Sequence, residues 1–225
     1  MLGGNAAIAA RVLTSFSAPI EKRCLLWIAP RLPRWVHSDH LTLLALSAIA
    51  LAGLSFWLAR WHPAALLLVV LALALNWFGD SLDGTLARVR SQQRPRYGFY
   101  VDHVLDAVGI LFLLAGLALS GFMSPAVAMM LVIAYFLVSI EVYLATCALG
   151  SFRMSFWKLG PTELRILLAI GTIALLTHPT TTILGRSFRL FDLGGAVAIV
   201  ALVGTFVVSV AHNTTTLYRA EPRGG

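Results

Sequence analysis

Residues 41–59 run for nineteen positions without a charged side chain, and residues 193–211 repeat that length near the other end of the chain. At about 1.5 Å per residue, such a helix matches the roughly 30 Å hydrocarbon layer of a bilayer, where a helix satisfies all its own backbone amides. Four more apolar stretches lie between them: 63–79 without charge, 104–120 with Asp106 near its start, 125–149 with Glu141 well inside, and 164–177 with Arg165 at its start. The last is short and needs Pro161 to Glu163 as its first turn. The pattern predicts an all-α, polytopic membrane protein with six transmembrane helices. A soluble domain is excluded, because 59% of the side chains are hydrophobic and only 12% charged.

The first forty residues read differently. Arg11, Lys22, Arg23, Arg31 and Arg34 alternate with apolar positions, and Pro19, Pro30 and Pro33 break the pattern. A cleavable signal peptide would keep one short basic end ahead of a compact apolar core. The segment reads instead as an interfacial amphipathic helix around residues 20–28, with Trp27 and Trp35 at headgroup depth. The whole chain, 1–225, is expected to be one membrane domain: an interfacial segment over about 1–40, a six-helix bundle over 41–214 and a cytoplasmic tail over 215–225.

Basic residues set the expected orientation. With both termini on one side, that side carries fourteen Lys and Arg and the other three, Arg60, Arg186 and Arg189. This asymmetry places the termini, the 80–103 region and the 150–163 loop in the cytoplasm. The net charge of +7 suits anionic headgroups or phosphorylated substrates. The charges form no long basic stripe, so no nucleic-acid partner is expected. Cys24 and Cys147 are too few for a disulfide scaffold and match no metal-ligand spacing.

The chemistry concentrates in residues 76–106. Asp80 and Asp83 are three apart at the end of the second apolar stretch, and Asp102 and Asp106 four apart at the start of the third. Both spacings put a pair on one helix face, so two adjacent helices can direct four carboxylates into one site. Massed carboxylates at low dielectric repel one another unless cations or protons intervene. Hard divalent ions take oxygen ligands and tolerate bridging phosphates, and two such ions can clamp a displacement at phosphorus. Gly84, within the helical pattern, gives up about 1 kcal/mol relative to Ala, which suggests room for a ligand or a close helix. Ala87 keeps that face shallow, Arg88 can meet a phosphate or an aspartate, and Gly98 permits a tight start to the third helix. Salt bridges from Arg88, Arg90, Arg94 and Arg96 to the acids are the competing structural reading. Asn76, one turn before Asp80, suits either a nucleotide contact or a polar network.

In order, Asp80, Asp83, Gly84, Ala87, Arg88, Gly98, Asp102 and Asp106 spell D-x-x-D-G-x-x-A-R, a spacer, and G-x-x-x-D-x-x-x-D. This signature resembles that of the CDP-alcohol phosphotransferase family, and the apolar pattern from about residue 15 to 215 is similar to its six-span architecture. The resemblance implies an integral-membrane homodimer that uses two divalent cations, Mg²⁺ or Mn²⁺, to displace CMP from a CDP-linked donor during phospholipid biosynthesis. It further implies Asp80, Asp83 and Asp102 as metal ligands, with Asp106 completing the site and acting as general base. Gly84 and Ala87 would let the cytidine nucleotide lie against the helix.

The substrate pair stays open. Asp102-His103, Glu141 and the 160–163 segment resemble the branch that transfers CDP-choline or CDP-ethanolamine to diacylglycerol. Arg153, Lys158 and Arg165 suit an acceptor phosphate, as in the branch that joins CDP-diacylglycerol to glycerol phosphate or inositol phosphate; serine is a further acceptor there. Glu141 fits a cationic headgroup or an interhelical hydrogen bond. His37 and His40 flank Ser38 and Asp39, either of which is expected to cap the first span. From another class, an ion-coupled transporter would use the same acids, but it predicts them near mid-membrane along a polar path, whereas four of five gather at one boundary.

Overall fold

The structure is a computed structural model, and it describes residues 18–149, 160–183 and 185–221. The chain forms α1 (Ala18–Ile28), a short 3-10 turn (Ala29–Arg31), α2 (Ser38–Leu58), α3 (Ala65–Val89), α4 (Pro95–Ser120), α5 (Pro125–Leu149) and α6 (Pro161–Ala174). Strands β1 (Thr180–Ile183) and β2 (Arg186–Arg189) and helix α7 (Leu190–Ala220) complete it. Among the described residues five helices, α2 to α5 and α7, are long and apolar enough to cross a membrane. The protein is an all-α, multi-pass membrane protein in which α1 stands outside those five.

The fifth expected span, 164–177, is a shorter element than the other five. α6 has fourteen residues, about 21 Å of helix. It begins at Pro161 as the sequence predicts, with Glu163 Oε2 accepting from the Gly160 amide at 2.9 Å. Beyond α6 the chain folds into an antiparallel hairpin, pairing Thr180 with Arg189 and Ile183 with Arg186. Sequence reading gave no strand there, because TTTI and RSFR are too short for a period to register.

α2 is the centre of the bundle, packed between α3 and α4. Its buried stripe is made of small residues, Ala45, Ala48, Ala52 and Gly53, with Phe56 at the far end. Small residues let membrane helices approach until backbone touches backbone. At the α2–α4 crossing, a Cβ on Gly116 would lie 1.9 Å from the Gly53 carbonyl oxygen, and one on Gly79 of α3 would lie 2.6 Å from the Leu41 carbonyl oxygen. At the opposite end from the acids, Phe56 meets Phe191 edge to face at 5.9 Å, and the Ser124 amide donates to Asp192 Oδ1 at 2.6 Å. α1 is fastened beneath the acidic end by an apolar cluster of Leu25, Ala29, Leu41, Leu82 and Leu86. Its other side leaves Ile20, Lys22, Arg23 and Trp27 exposed.

The start of α2 departs from expectation. His37 is its N-cap, and the His37 amide donates to His40 Nδ1 at 3.1 Å. The two residues expected to cap have other partners: Ser38 Oγ donates to the Asp83 carbonyl at 3.1 Å, and Asp39 pairs with Arg94. Both cysteines are free.

Candidate metal centre

α3 and α4 run antiparallel across a loop over residues 90–94, which returns the C-terminal end of one beside the N-terminal end of the other. Asp80, Asp102 and Asp106 meet there, each offering a carboxylate oxygen within 4.8 Å of the others. All three are half-buried, open enough for a ligand to reach.

Asp83 faces a different neighbour. Its Oδ2 accepts from Thr42 Oγ1 of α2 at 2.7 Å, and its Oδ1 accepts from the Gly84 amide. Helical geometry explains the split. Residues four apart differ by about 40° around the axis, so Asp102 and Asp106 stay together, whereas residues three apart differ by about 60°. That angle turns Asp80 toward α4 and α6 and Asp83 toward α2.

A cation from α6 meets the cluster. Arg165 Nη2 lies 2.7 Å from Asp80 Oδ2, and its Nε donates to Asn76 Oδ1 at 2.7 Å. Asn76 in turn gives its Nδ2 to the Ala45 carbonyl at 2.9 Å. Asn76 is therefore a buried link in a polar network. Arg165, expected to bind an acceptor phosphate, is held to Asp80 and Asn76, while its Nη1 makes no hydrogen bond among the described residues. Arg153 and Lys158 lie outside the described residues.

The arginines between the two acid pairs are used locally. Arg88 Nη2 donates to Thr85 Oγ1 at 3.0 Å. Arg90 gathers the carbonyls of Leu32 and Pro33 at 2.9 and 3.0 Å, and Arg94 takes Asp39. The salt bridge to the cluster comes from Arg165 instead, a partner 85 positions from Asp80 along the chain.

Gly84 follows Asp80 by one turn. A Cβ there would meet only Arg88 Nη1, at 3.7 Å. Of the two reasons for a glycine, a ligand or a close helix, the open space fits the ligand; the close approach belongs to Gly79. Ala87 is half-buried on the same side. α4 starts at Pro95, so Gly98 lies in its first turn, exposed, with nothing within 4 Å of a Cβ. His103 packs against the rings of Phe99 and Tyr143, and its Nδ1 lies 2.6 Å from the Phe99 carbonyl oxygen.

Glu141 sits on the seam between α5 and α7. Its Oε2 accepts from Ser209 Oγ at 2.7 Å and its Oε1 from Asn213 Nδ2 at 2.6 Å. Both oxygens accept from α7, the geometry of an interhelical hydrogen bond.

Sequence reading missed Thr42, Ser38 and Glu21. The signal for Glu21 was faint but present, since it is the first acid in the chain, set among basic and apolar residues.

The donor set is all carboxylate oxygen, three groups converging against one guanidinium, and this fits a hard divalent cation. The family model for CDP-alcohol phosphatidyltransferase matches residues 35–211, most of the chain. No curated protein matches it closely enough to serve as a relative. From its acidic centre to its apolar helices, the chain belongs to the CDP-alcohol phosphatidyltransferase family and is a membrane-embedded transferase.

Proposed function

We propose that the protein transfers a substituted phosphate from a CDP-linked donor to an acceptor hydroxyl and releases CMP, with one of the two substrates a lipid. The observation that carries this reading is the convergence of Asp80, Asp102 and Asp106 beside the open face of Gly84. Asp80, Asp83, Asp102 and Asp106 would hold two divalent cations, Mg²⁺ or Mn²⁺, with Asp83 swinging from Thr42. When bound, such ions neutralise charge on the pyrophosphate oxygens. Asp106 lies deepest along the span of the four and takes the acceptor's proton. The freed oxygen bonds to the donor's β-phosphorus, the bond to the bridging oxygen breaks, and CMP departs with that electron pair. No covalent enzyme intermediate forms. Gly84 and Ala87 give the nucleotide a flat helix face, and Arg88, exposed beyond them, reaches a phosphate.

The finer topology belongs to the same proposal. α6 starts beside Asp80, and Gly171 near its end lies against Phe191 at the head of α7. This course supports six crossings, with α6 the short one, and both termini and the site in the cytoplasm. α1, with Lys22, Arg23 and Trp27 exposed, lies on the headgroups. The chain works as a single membrane domain and as a homodimer.

The test is CMP release by purified protein in lipid, offered a panel of CDP-linked donors and alcohol acceptors with Mg²⁺, Mn²⁺ or chelator. Release with at least one pair, lost in chelator, is expected. No release from any donor overturns the reading.

A further inference from the structure

Helix α1 is not one of the five long helices, yet both carboxylate oxygens of its acid are used inside the bundle. Glu21 Oε1 accepts from Trp77 Nε1 at 3.0 Å and from Ser81 Oγ at 2.7 Å, both on α3. Glu21 Oε2 accepts from Thr162 Oγ1 on α6 at 3.0 Å. Each donor stands next to a residue of the metal centre. Trp77 follows Asn76, Ser81 follows Asp80, and Thr162 lies three residues before Arg165, one helical turn away.

The same two helices are thus joined twice, in parallel. Arg165 reaches from α6 directly to Asn76 and Asp80, and Glu21 bridges α3 and α6 from outside. The second link matters because, among the described residues, the apolar packing of α6 lies beyond its first turn, where Leu168, Ala169 and Thr172 meet the core. Thr172 is the one buried residue of α6, while Leu164, Ile166, Leu167, Ile170 and Ile173 are exposed. A short helix packed beyond its first turn has its start fixed by polar bonds, and Glu21 accepts three of them. The Arg165 side chain is delivered to Asp80 from that start.

We propose that Glu21 is a positioning residue for the metal centre: it fixes the first turn of α6 against α3 so that Arg165 meets Asp80, which makes α1 part of the catalytic apparatus. The proposal rests on the reading of the aspartates as a cation and pyrophosphate site. It does not need Glu21 to hold α1 in place, since Leu25 and Ala29 are buried against Leu82 and Leu86 independently.

The experiment is a pair of double-mutant cycles on the full chain in lipid nanodiscs: wild type, Glu21→Gln, Thr162→Val, Arg165→Gln, and Glu21→Gln and Thr162→Val each combined with Arg165→Gln. Two quantities are read: the Mn²⁺ concentration for half-maximal thermal stabilisation by MnCl₂ alone, and the Mn²⁺ dependence of CMP release. Glu21→Gln and Thr162→Val should each shift the half-maximal concentration by about fivefold when Arg165 is present and by less than about twofold when it is Gln. Equal shifts on both backgrounds would mean that Glu21 acts on general stability, and no shift in either single variant would mean that it does not position the site; either result overturns the proposal. Thr162→Val leaves both bonds to α3 intact and carries the test if Glu21→Gln does not fold. A wild type that binds Mn²⁺ but releases no CMP would defeat the functional reading alone, because the thermal arm still measures the coupling.

Discussion

Arg165 Nη2 and Asp80 Oδ2 are 2.7 Å apart, with both side chains only about one-fifth exposed, so the acidic centre of this protein carries a positive charge of its own. Without a cation, that charge is the nearest compensation the described residues offer to Asp80. Removing one member of a buried pair leaves the other uncompensated and costs about 3–5 kcal/mol, and partial exposure here reduces that to about 1–3 kcal/mol. Arg165→Gln should therefore lower the thermal midpoint in chelator by several degrees, and millimolar Mg²⁺ should recover most of the loss. Thermal unfolding with and without Mg²⁺ checks this. A deficit of equal size in both conditions would show that Arg165 does not balance the acids.

The parts of this arrangement visible in the sequence were those encoded locally. Long apolar runs give α2, α3, α4, α5 and α7, because hydrocarbon leaves no alternative to a helix of bilayer length. The acids gave the site, because spacings of three and four on two neighbouring helices are a geometric statement. The division of labour within that site was not legible. Whether Asp83 faces α4 or α2 depends on Thr42, 41 residues away, and Arg165 meets Asp80 across 85 residues. Glu21 finds Thr162 across 141. No period along one chain encodes contacts between helices so far apart. The cap of α2 failed for the same reason, because Ser38 and Asp39 were drawn off by Asp83 and Arg94.

Glu141 gives a contrast between two substitutions. Glu141→Gln keeps an acceptor for Asn213, and Ser209 can turn its hydroxyl to accept from the new amide. Glu141→Ala leaves donors from α7 unpaired in a buried seam, at about 1–3 kcal/mol each. The Gln variant is expected to release CMP within about twofold of wild type, an effect of the size seen when a hydrogen bond is exchanged and not lost. The Ala variant should unfold at a visibly lower temperature. If Glu141→Gln lost turnover with its stability intact, the carboxylate would have a substrate role after all.

Two glycines should part company in the same way. A methyl on Gly116 would collide with the backbone of Gly53, where nothing flexible can yield, so Gly116→Ala should cost about 1–3 kcal/mol or more and reduce the yield of folded protein. Gly84→Ala meets only Arg88 Nη1 at 3.7 Å and gains helix propensity of about 1 kcal/mol, so its thermal midpoint should hold or rise. Its defect should appear in the KM for the CDP-linked donor, as expected if the nucleotide lies on that face. A Gly84→Ala enzyme with an unchanged donor KM would remove the nucleotide from this side of α3.

Asp106→Asn carries the sharpest consequence, because it is nearly isosteric and separates charge from shape. Asn retains one carbonyl oxygen where the carboxylate had two, so cation affinity falls but the helix packing around residue 106 is undisturbed. An amide cannot take the acceptor's proton, and loss of a positioned base removes about 10²–10⁴-fold in rate. CMP release should drop by at least the lower of these factors even when Mn²⁺ is raised to saturation, while the thermal midpoint in chelator stays at or above that of wild type, since one of the mutually repelling acids is gone. The saturation step is decisive. If excess Mn²⁺ restored the wild-type rate, residue 106 would act only through the metal, and the base would have to be sought elsewhere among the groups that face Asp80 and Asp102.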